Sequence, residues 1–353
     1  MPNDANTYYE EVSRQMIKEQ RKILEQLPKF VTEFFRGIDA TTAPRTRVGY
    51  ARDIKLFLYF LSKTHPDYKD KKLKDIPLSL LDELQPADIE EYMEFLKLYT
   101  DEEGNEISNS EYGIKRKMSA LRVMYQYFYS RERIHNNPAS IVNMPKLHRR
   151  EIVRFDENEM YDFLDKVEMG TNLTSRQLAS HEKTKKRDLA MMTLLLGTGM
   201  RVSECVGLNI DDVDINSASL RIIRKGGNVD IVYFGYEVED KLLEYMDERD
   251  EIVALEGHEK ALFLSSQKKR ISVRAVEKMV EKYSRITDTT KHITPHKLRS
   301  TYGTQLYRET GDIYLVADVL GHKDVNTTTK HYATVSQDKK QNARNKVKLR
   351  DNE

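Results

Sequence analysis

The stretch from Pro138 to Arg154 constrains the fold more than any other part of this chain. It carries Pro138 and Pro145, shows no apolar period and holds several basic residues. Proline removes a backbone donor and clashes in a helix interior, so such a stretch cannot carry a long helix. It reads as a linker between two bodies, with 146–153 as its centre. A chain of 353 residues has room for two domains and a sizeable core. The apolar patterns before the break have helical spacing, whereas strand-like pieces occur after it.

Thr7 to Phe35 reads as helical, with Val12, Met16, Ile23, Leu24 and Leu27 at roughly helical spacing and Pro28 as punctuation. Thr42 precedes Ala43 and Pro44, which is helix-start chemistry. The next helix runs from about Pro44 to Ser62 on a stripe of Tyr50, Ile54, Phe57, Leu58 and Leu61. Pro86-Ala87-Asp88 opens another, followed by an exposed loop from Thr100 to Glu111. Ser110 then caps a long helix through Met118, Leu121, Met124, Tyr125 and Phe128. This half is all helical.

After the break, Asn158 to Val167 starts a helix, and Gly170 to Lys186 is polar and loop-like. Arg187 to Leu196 is an apolar helix closed by Gly197-Thr198-Gly199. Ser219–Ile223 and Val229–Phe234 are β-rich, and the intervening Arg224-Lys225-Gly226-Gly227-Asn228 is a hairpin turn signal. Tyr236–Ile252 and Ser272–Ile286 are helical. Thr294-Pro295 opens a helix carrying His296 and Arg299, and Asp312 caps another that ends near Leu320-Gly321.

Several function classes are excluded early. No apolar run approaches a membrane span, and the polar, acidic N-terminus is not a secretory signal, so the expected compartment is the cytoplasm. The single cysteine, Cys205, allows no internal disulfide and no zinc cluster, and reads as a small buried hydrophobe. Gly197-Thr198-Gly199 lacks the third glycine of a dinucleotide loop, because Val202 stands there. His292 and His296 have Pro295 between them, which prevents one regular helix from presenting both to a metal. There is no phosphate-binding loop of the ATPase type. The net charge of +1 hides a basic region, Lys115 to Arg154, with Lys115, Arg116, Lys117, Arg122, Lys146, Arg149 and Arg150, and a basic end from Lys339 to Arg350. Patches matter more than the sum for phosphate binding.

What remains is a set of cations and an acceptor. Taken singly each has a dull reading. His296 and Arg299, three apart, share a helix face as many pairs do. Arg201 with Glu204 three later is an ordinary ion pair, Lys225 an exposed hairpin lysine, His322 a helix end, and Tyr332 one of 20 tyrosines. Their order is far more specific: GTGMRVSE, Lys225 in RKGG, HKLR, LGH and then Tyr332.

That succession resembles the boxes of the tyrosine site-specific recombinases, the phage-integrase family, and in particular the Xer recombinases. The RKGG turn, VEKMVEKYS and TPHKLR are similar to the XerS-like branch. The resemblance is strong over the C-terminal half and loose over the first. Ser300 stands where many relatives carry a second histidine, and Gly170–Lys186 is longer than in the commonest Xer proteins. The resemblance implies a mainly α fold with a small β-sheet, in which an N-terminal helical core-binding (SAM-like) domain precedes a mixed α/β tyrosine recombinase catalytic domain. Residues 1–35 are then a helical extension, 36–145 the core DNA-binding domain, 146–153 the linker, 154–335 the catalytic domain and 336–353 a basic tail.

The same resemblance implies a site-specific DNA recombinase of Xer type, resolving chromosome dimers through a 3′-phosphotyrosyl intermediate. Tyr332 is then the nucleophile, Arg201 and Arg299 hold the phosphate, Lys225 protonates the leaving 5′-oxygen, His296 and His322 assist, and Glu204 steadies Arg201. Strand exchange is nearly isoenergetic, so no cofactor, ATP or metal is expected. The partners implied are double-stranded DNA, gripped on two faces by the two domains, a homo-tetramer on two DNA sites, and an accessory factor of the DNA translocase kind. The alternative within enzymes is an integrase or excisionase-type recombinase of a mobile element. A non-catalytic DNA-binding protein on this scaffold would have lost one of Arg201, Lys225, Arg299 or Tyr332, and all are present.

Overall fold

Proline and polar loops cut the first half of the chain into helices, because its apolar residues recur at helical spacing. A computed structural model describes residues 5–69, 71–148, 153–224, 226–287, 289, 291–322, 324, 325, 328 and 329. They fall into two compact units, 6–148 and 153–329.

In the first unit, α1 (Ala5–Leu24) and α2 (Lys29–Gly37) make up the helical stretch expected from Thr7 to Phe35, with Pro28 as its punctuation. Pro28 lacks an N–H, so it stands just before α2 rather than inside a longer helix. α2 buries Phe30, Val31, Phe34 and Phe35. α3 (Pro44–Thr64) is preceded by Ala43 at its cap, not Thr42, with Pro44 in the first turn. Next come α4 (Ser79–Glu83) and α5 (Pro86–Lys97). Phe57 and Phe60 of α3 meet Tyr92 of α5 with ring centroids 5.0 and 5.2 Å apart. All three are almost fully buried, and truncating Phe57 to alanine would cost about 3–5 kcal/mol through the cavity left behind.

The loop expected at Thr100–Glu111 is instead largely a hairpin, β1 (Leu98–Thr100) paired antiparallel with β2 (Glu106–Ser108). Asp101 makes it: its Oδ1 accepts from the Glu103 and Asn105 backbone N–H groups at 2.9 Å each, and Gly104 takes φ +86°. Each strand is three residues long and one face is not apolar, so no alternating pattern marks them. α6 (Glu111–Tyr129) buries Ile114, Met118, Leu121, Met124, Tyr125 and Phe128 in the same core. The start of the presumed linker holds a short helix, α7 (Pro138–Ile141), opened by the Asn137 side chain, which accepts from the Ser140 N–H at 3.2 Å.

The second unit is built on α8 (Glu157–Met169), α9 (Ser175–His181), α10 (Lys185–Thr198), α11 (Val202–Gly207), α12 (Tyr236–Asp250), α13 (Val273–Ser284), α14 (Pro295–Thr310) and α15 (Ile313–Leu320). α10 is buried on every side from Asp188 to Leu196 and packs on α8, α12 and α14. That is what a helix apolar on nearly all sides does in the core of a domain. β3 (Val213–Asp214), β4 (Ser219–Ile223) and β5 (Val229–Tyr233) form an antiparallel sheet in that order, with Leu220 opposite Val232.

α9 corrects the expectation of a loop over Gly170–Lys186. Thr174 and Gln177 form a reciprocal cap at its start. Its anchor is polar: buried His181 bonds through Nδ1 with the Tyr283 hydroxyl at 3.0 Å, and that hydroxyl donates to Asp188 at 2.8 Å. A helix held by one histidine has no apolar period to read. Among the described residues, no helix is long and apolar enough to cross a membrane.

Candidate active site

Three of the sequence boxes come together where helices end. α10 closes on Gly199, left-handed at φ +61°, and α15 closes on Gly321, also at +61°. At α15 the Gly321 N–H donates to the Asp318 carbonyl at 2.8 Å and the His322 N–H to Ala317 at 2.9 Å, the paired bonds of a glycine-ended helix. A Cβ at Gly199 would lie 2.4 Å from the Tyr302 ring and 2.9 Å from Leu320. A Cβ at Gly321 would lie 2.8 Å from the Arg224 guanidinium. Both glycines therefore serve backbone conformation and close packing at once.

Helix C-termini leave carbonyls without intrahelical partners and carry a partial negative charge. Arginines occupy them here. Arg299 donates from Nη1 to the Gly199 carbonyl at 2.7 Å and from Nη2 to that of Leu320. Arg201 donates from Nη2 to the Gly321 carbonyl at 3.3 Å. Arg224 donates to the Val319 carbonyl at 2.9 Å and to Leu320 at 3.3 Å. Three guanidinium groups thus gather around the Gly321–His322 corner, and the helix end offsets part of their mutual repulsion.

Glu204 is buried and fixes one of them. It accepts from the Arg201 backbone N–H and from Arg201 Nη1, each at 2.8 Å, and from Arg224 Nη1 at 3.4 Å. Arg201 thus caps α11 with its own carboxylate partner, while its side chain stays 31% exposed. Arg299 is buried and His296, one turn earlier on α14, is exposed. The Ser300 hydroxyl donates to the His296 carbonyl at 3.1 Å, bracing that turn. His322 bonds through Nδ1 with the Thr328 hydroxyl at 2.7 Å.

The structure thus brings together Arg201, Glu204, Arg299 and the backbone at His322, with His296 on the helix that carries Arg299. Lys225 and Tyr332 lie outside the described residues, as do Arg149 and Arg150. Arg224 was missed by the sequence reading; its one visible signal is its place at a strand end, just before Lys225. Among the described residues, no three His, Cys, Asp or Glu side chains gather as a metal-holding group.

The expected DNA-contacting residues divide. Lys115 and Lys146 are exposed. Arg116 is exposed as well, but it grips buried Asp53 with two bonds of 2.6 and 2.7 Å. Burial pushes the Asp53 carboxyl above its ordinary value, against the opposing pull of Arg116. Lys117 donates to Asn109 at 2.8 Å, and burial lowers its ammonium. Arg122 donates to the Ala139 and Val142 carbonyls at 2.8 and 2.6 Å, tying α6 to α7.

Residues 155–339 match the phage integrase family. The chain is 31% identical over 351 residues to tyrosine recombinase XerS of Streptococcus agalactiae, covering 92% of this chain and 97% of that one. Among solved structures, it matches the Tn1549 transposon integrase in complex with a circular intermediate DNA at TM-score 0.64 and 18% identity, over 89% of this chain and 98% of that one. It matches the XerH site-specific recombinase bound to its difH substrate at TM-score 0.60 and 19% identity, over 86% and 79%. At these identities the two structures bear on the fold, a helical N-terminal part followed by a catalytic part.

Proposed function

We propose, from the premise that the chain belongs to the phage integrase family and is a site-specific tyrosine recombinase that cuts and rejoins DNA strands, that its reaction runs through Tyr332 on the scissile phosphate of a chromosomal recombination site. The convergence of Arg201 and Arg299 on the Gly321–His322 corner is the observation that carries this reading.

The Tyr332 oxygen attacks phosphorus, the bond from phosphorus to the 5′-oxygen breaks, and the protein is left joined to a 3′-phosphate. A free tyrosine has a pKa of about 10, so its proton needs an acceptor. His322 and His296 serve there. Lys225 gives a proton to the departing 5′-oxygen. Guanidinium groups stay charged at any working pH and match the two non-bridging oxygens of a phosphate. Held beforehand by Glu204 and by helix-end carbonyls, they need little rearrangement as charge builds in the transition state. The 5′-hydroxyl of another strand then reverses the step, so the phosphodiester energy is conserved.

Both units bind the same duplex in this proposal, 36–145 as the core-binding domain and 154–335 as the catalytic domain, joined by 146–153. Lys115, Lys146, Arg149 and Arg150 face phosphates, with Arg116, Lys117 and Arg122 in supporting roles. The chain works in the cytoplasm as a tetramer on two sites, with the tail 336–353 against a neighbouring protomer. The task is chromosome-dimer resolution, with a DNA translocase as accessory. The XerS relative, covered over nearly its whole length, supports that task over mobile-element integration.

The test begins with genomic fragments that become covalently joined to the chain. Their shared sequence defines the site, and a nicked duplex of that site traps the adduct. Tyr332→Phe is expected to bind this duplex and form no adduct. An adduct with that variant would overturn the assignment of Tyr332. Cleavage in the presence of EDTA is expected at the untreated rate, and loss with chelator would overturn the metal-free mechanism.

A further inference from the structure

We infer that Arg224 is a positioning residue for the leaving-group acid, clamping the base of the β4–β5 turn, and with it Lys225, to the C-terminal end of α15. The inference rests on the proposed role of Lys225. The Arg224 N–H donates to the Asn228 carbonyl at 2.8 Å, and the Gly227 N–H donates to the Arg224 carbonyl at 3.0 Å. Beyond that base, Gly226 and Gly227 adopt φ of +103° and +87°, and nothing lies within 4 Å of where a Cβ would be on either. No packing at these glycines steadies the tip. A lysine in such a turn depends on how firmly the base is held.

The Arg224 side chain does the holding. Nε donates to Asp230 on β5 at 2.8 Å, so one residue ties both strands at the turn. Its Nη groups reach the Val319 and Leu320 carbonyls, so the hairpin is fastened to the helix that ends in His322. The side chain is only 10% exposed, which separates it from a surface ion pair of little consequence. Gly321 is part of the device, because a Cβ there would collide with the guanidinium.

Distances decide which catalytic group depends on Arg224. Its bond to Glu204 is long, 3.4 Å, whereas Arg201 has its own two bonds of 2.8 Å to that carboxylate. Removing Arg224 therefore leaves Arg201 held. The close bonds, to Asp230 and Val319, are those that place the hairpin. A lysine at 224 keeps the charge and loses the fork that reaches strand and helix together.

The experiment compares two nicked duplexes of the site, one natural and one with sulfur in place of the 5′-bridging oxygen at the scissile phosphate. A thiolate leaves without a donated proton, so the sulfur substrate bypasses the acid. Arg224→Lys is expected to cleave the natural duplex slower by on the order of 10²-fold, the size of effect that a misplaced catalytic group produces. It is expected to cleave the sulfur duplex close to the parent rate, as Lys225→Ala does, and to bind DNA as the parent does. Parent-like cleavage of the natural duplex, or an equal loss on both duplexes, would overturn the inference. Sulfur rescue of Lys225→Ala without rescue of Arg224→Lys overturns the role of Arg224 alone. Failure of sulfur to rescue Lys225→Ala overturns the acid role of Lys225 first. Asp230→Ala removes the strand-side anchor only; it carries the same test if Arg224→Lys does not fold, with a smaller loss and the same rescue.

Discussion

The corner at α15 and the face of α6 are both rich in arginine, yet they use it in opposite ways. At α15, Arg201, Arg224 and Arg299 point at backbone carbonyls of helix ends, and two of them also share the buried Glu204. A carbonyl orients a guanidinium without cancelling its charge. On α6, Arg116 is closed against the Asp53 carboxylate and Arg122 bridges to α7. There the arginines hold helices together. The number of basic residues in a stretch is thus a poor measure of the field it presents. Acceptor type alone does not divide the arginines, since Arg122 is bonded only to carbonyls and Arg201 also to the Glu204 carboxylate; what differs is that Arg122 ties two helices together, whereas the α15 arginines gather at one glycine-ended corner.

The largest effect expected of this difference is on chemistry. Arg299→Ala should slow adduct formation on the nicked duplex by at least 10²–10³-fold, roughly the loss on removing one preorganised charge-stabilising donor. Arg122→Ala should leave the adduct rate per bound complex near the parent value. A single-turnover gel assay with both variants at saturating protein separates them. Equal losses would show that the two regions do not differ as described.

Two glycines give a second, smaller contrast. Gly321→Ala forces a Cβ into a left-handed position and against Arg224, whereas Gly104→Ala meets left-handed strain at φ +86° but open space. Strain alone costs about 1–2 kcal/mol. Thermal melting should therefore fall more for Gly321→Ala, and its cleavage should fall too. Gly104→Ala, in the first unit's hairpin, should change melting alone.

What was legible in the sequence follows from what each element is made of. Helices with apolar stripes, such as α3 and α6, show in the pattern because burial itself writes the period. The boxes around Arg201, Arg299 and Gly321 show through their order and the family resemblance it carries, since singly each has a dull reading, and Gly199 and Gly321 in them sit at left-handed helix ends. The hairpin at Leu98–Ser108 did not show, because Asp101 side-chain bonds organise it rather than alternation. α9 did not show, because His181 anchors it. Arg224 did not show because its partners, the carbonyls of Val319 and Leu320, lie about a hundred residues away and carry no residue identity. Backbone acceptors are invisible to any reading of side-chain types.

The smallest effects come from the α6 face, and they sharpen the contrast most. Arg116→Ala leaves Asp53 buried without its charge partner, which should lower stability by about 1–3 kcal/mol. The pH dependence has a definite sign. A carboxyl raised in the folded state binds its proton more tightly there than in the unfolded chain. Stability then falls as pH rises from the unfolded value through the folded one. Without Arg116 the folded value rises further, so the melting deficit of Arg116→Ala should grow from mildly acidic to neutral pH. Lys115, one residue earlier and exposed, has no such debt. Lys115→Ala should leave melting within about 0.5 kcal/mol of the parent. It should reduce the slope of log affinity against log salt by about one unit if it faces a phosphate. Melting at two pH values and a salt titration of binding check the pair. A stability loss for Lys115→Ala, or a loss for Arg116→Ala that does not depend on pH, would mean that α6 does not divide its basic residues between folding and binding as argued.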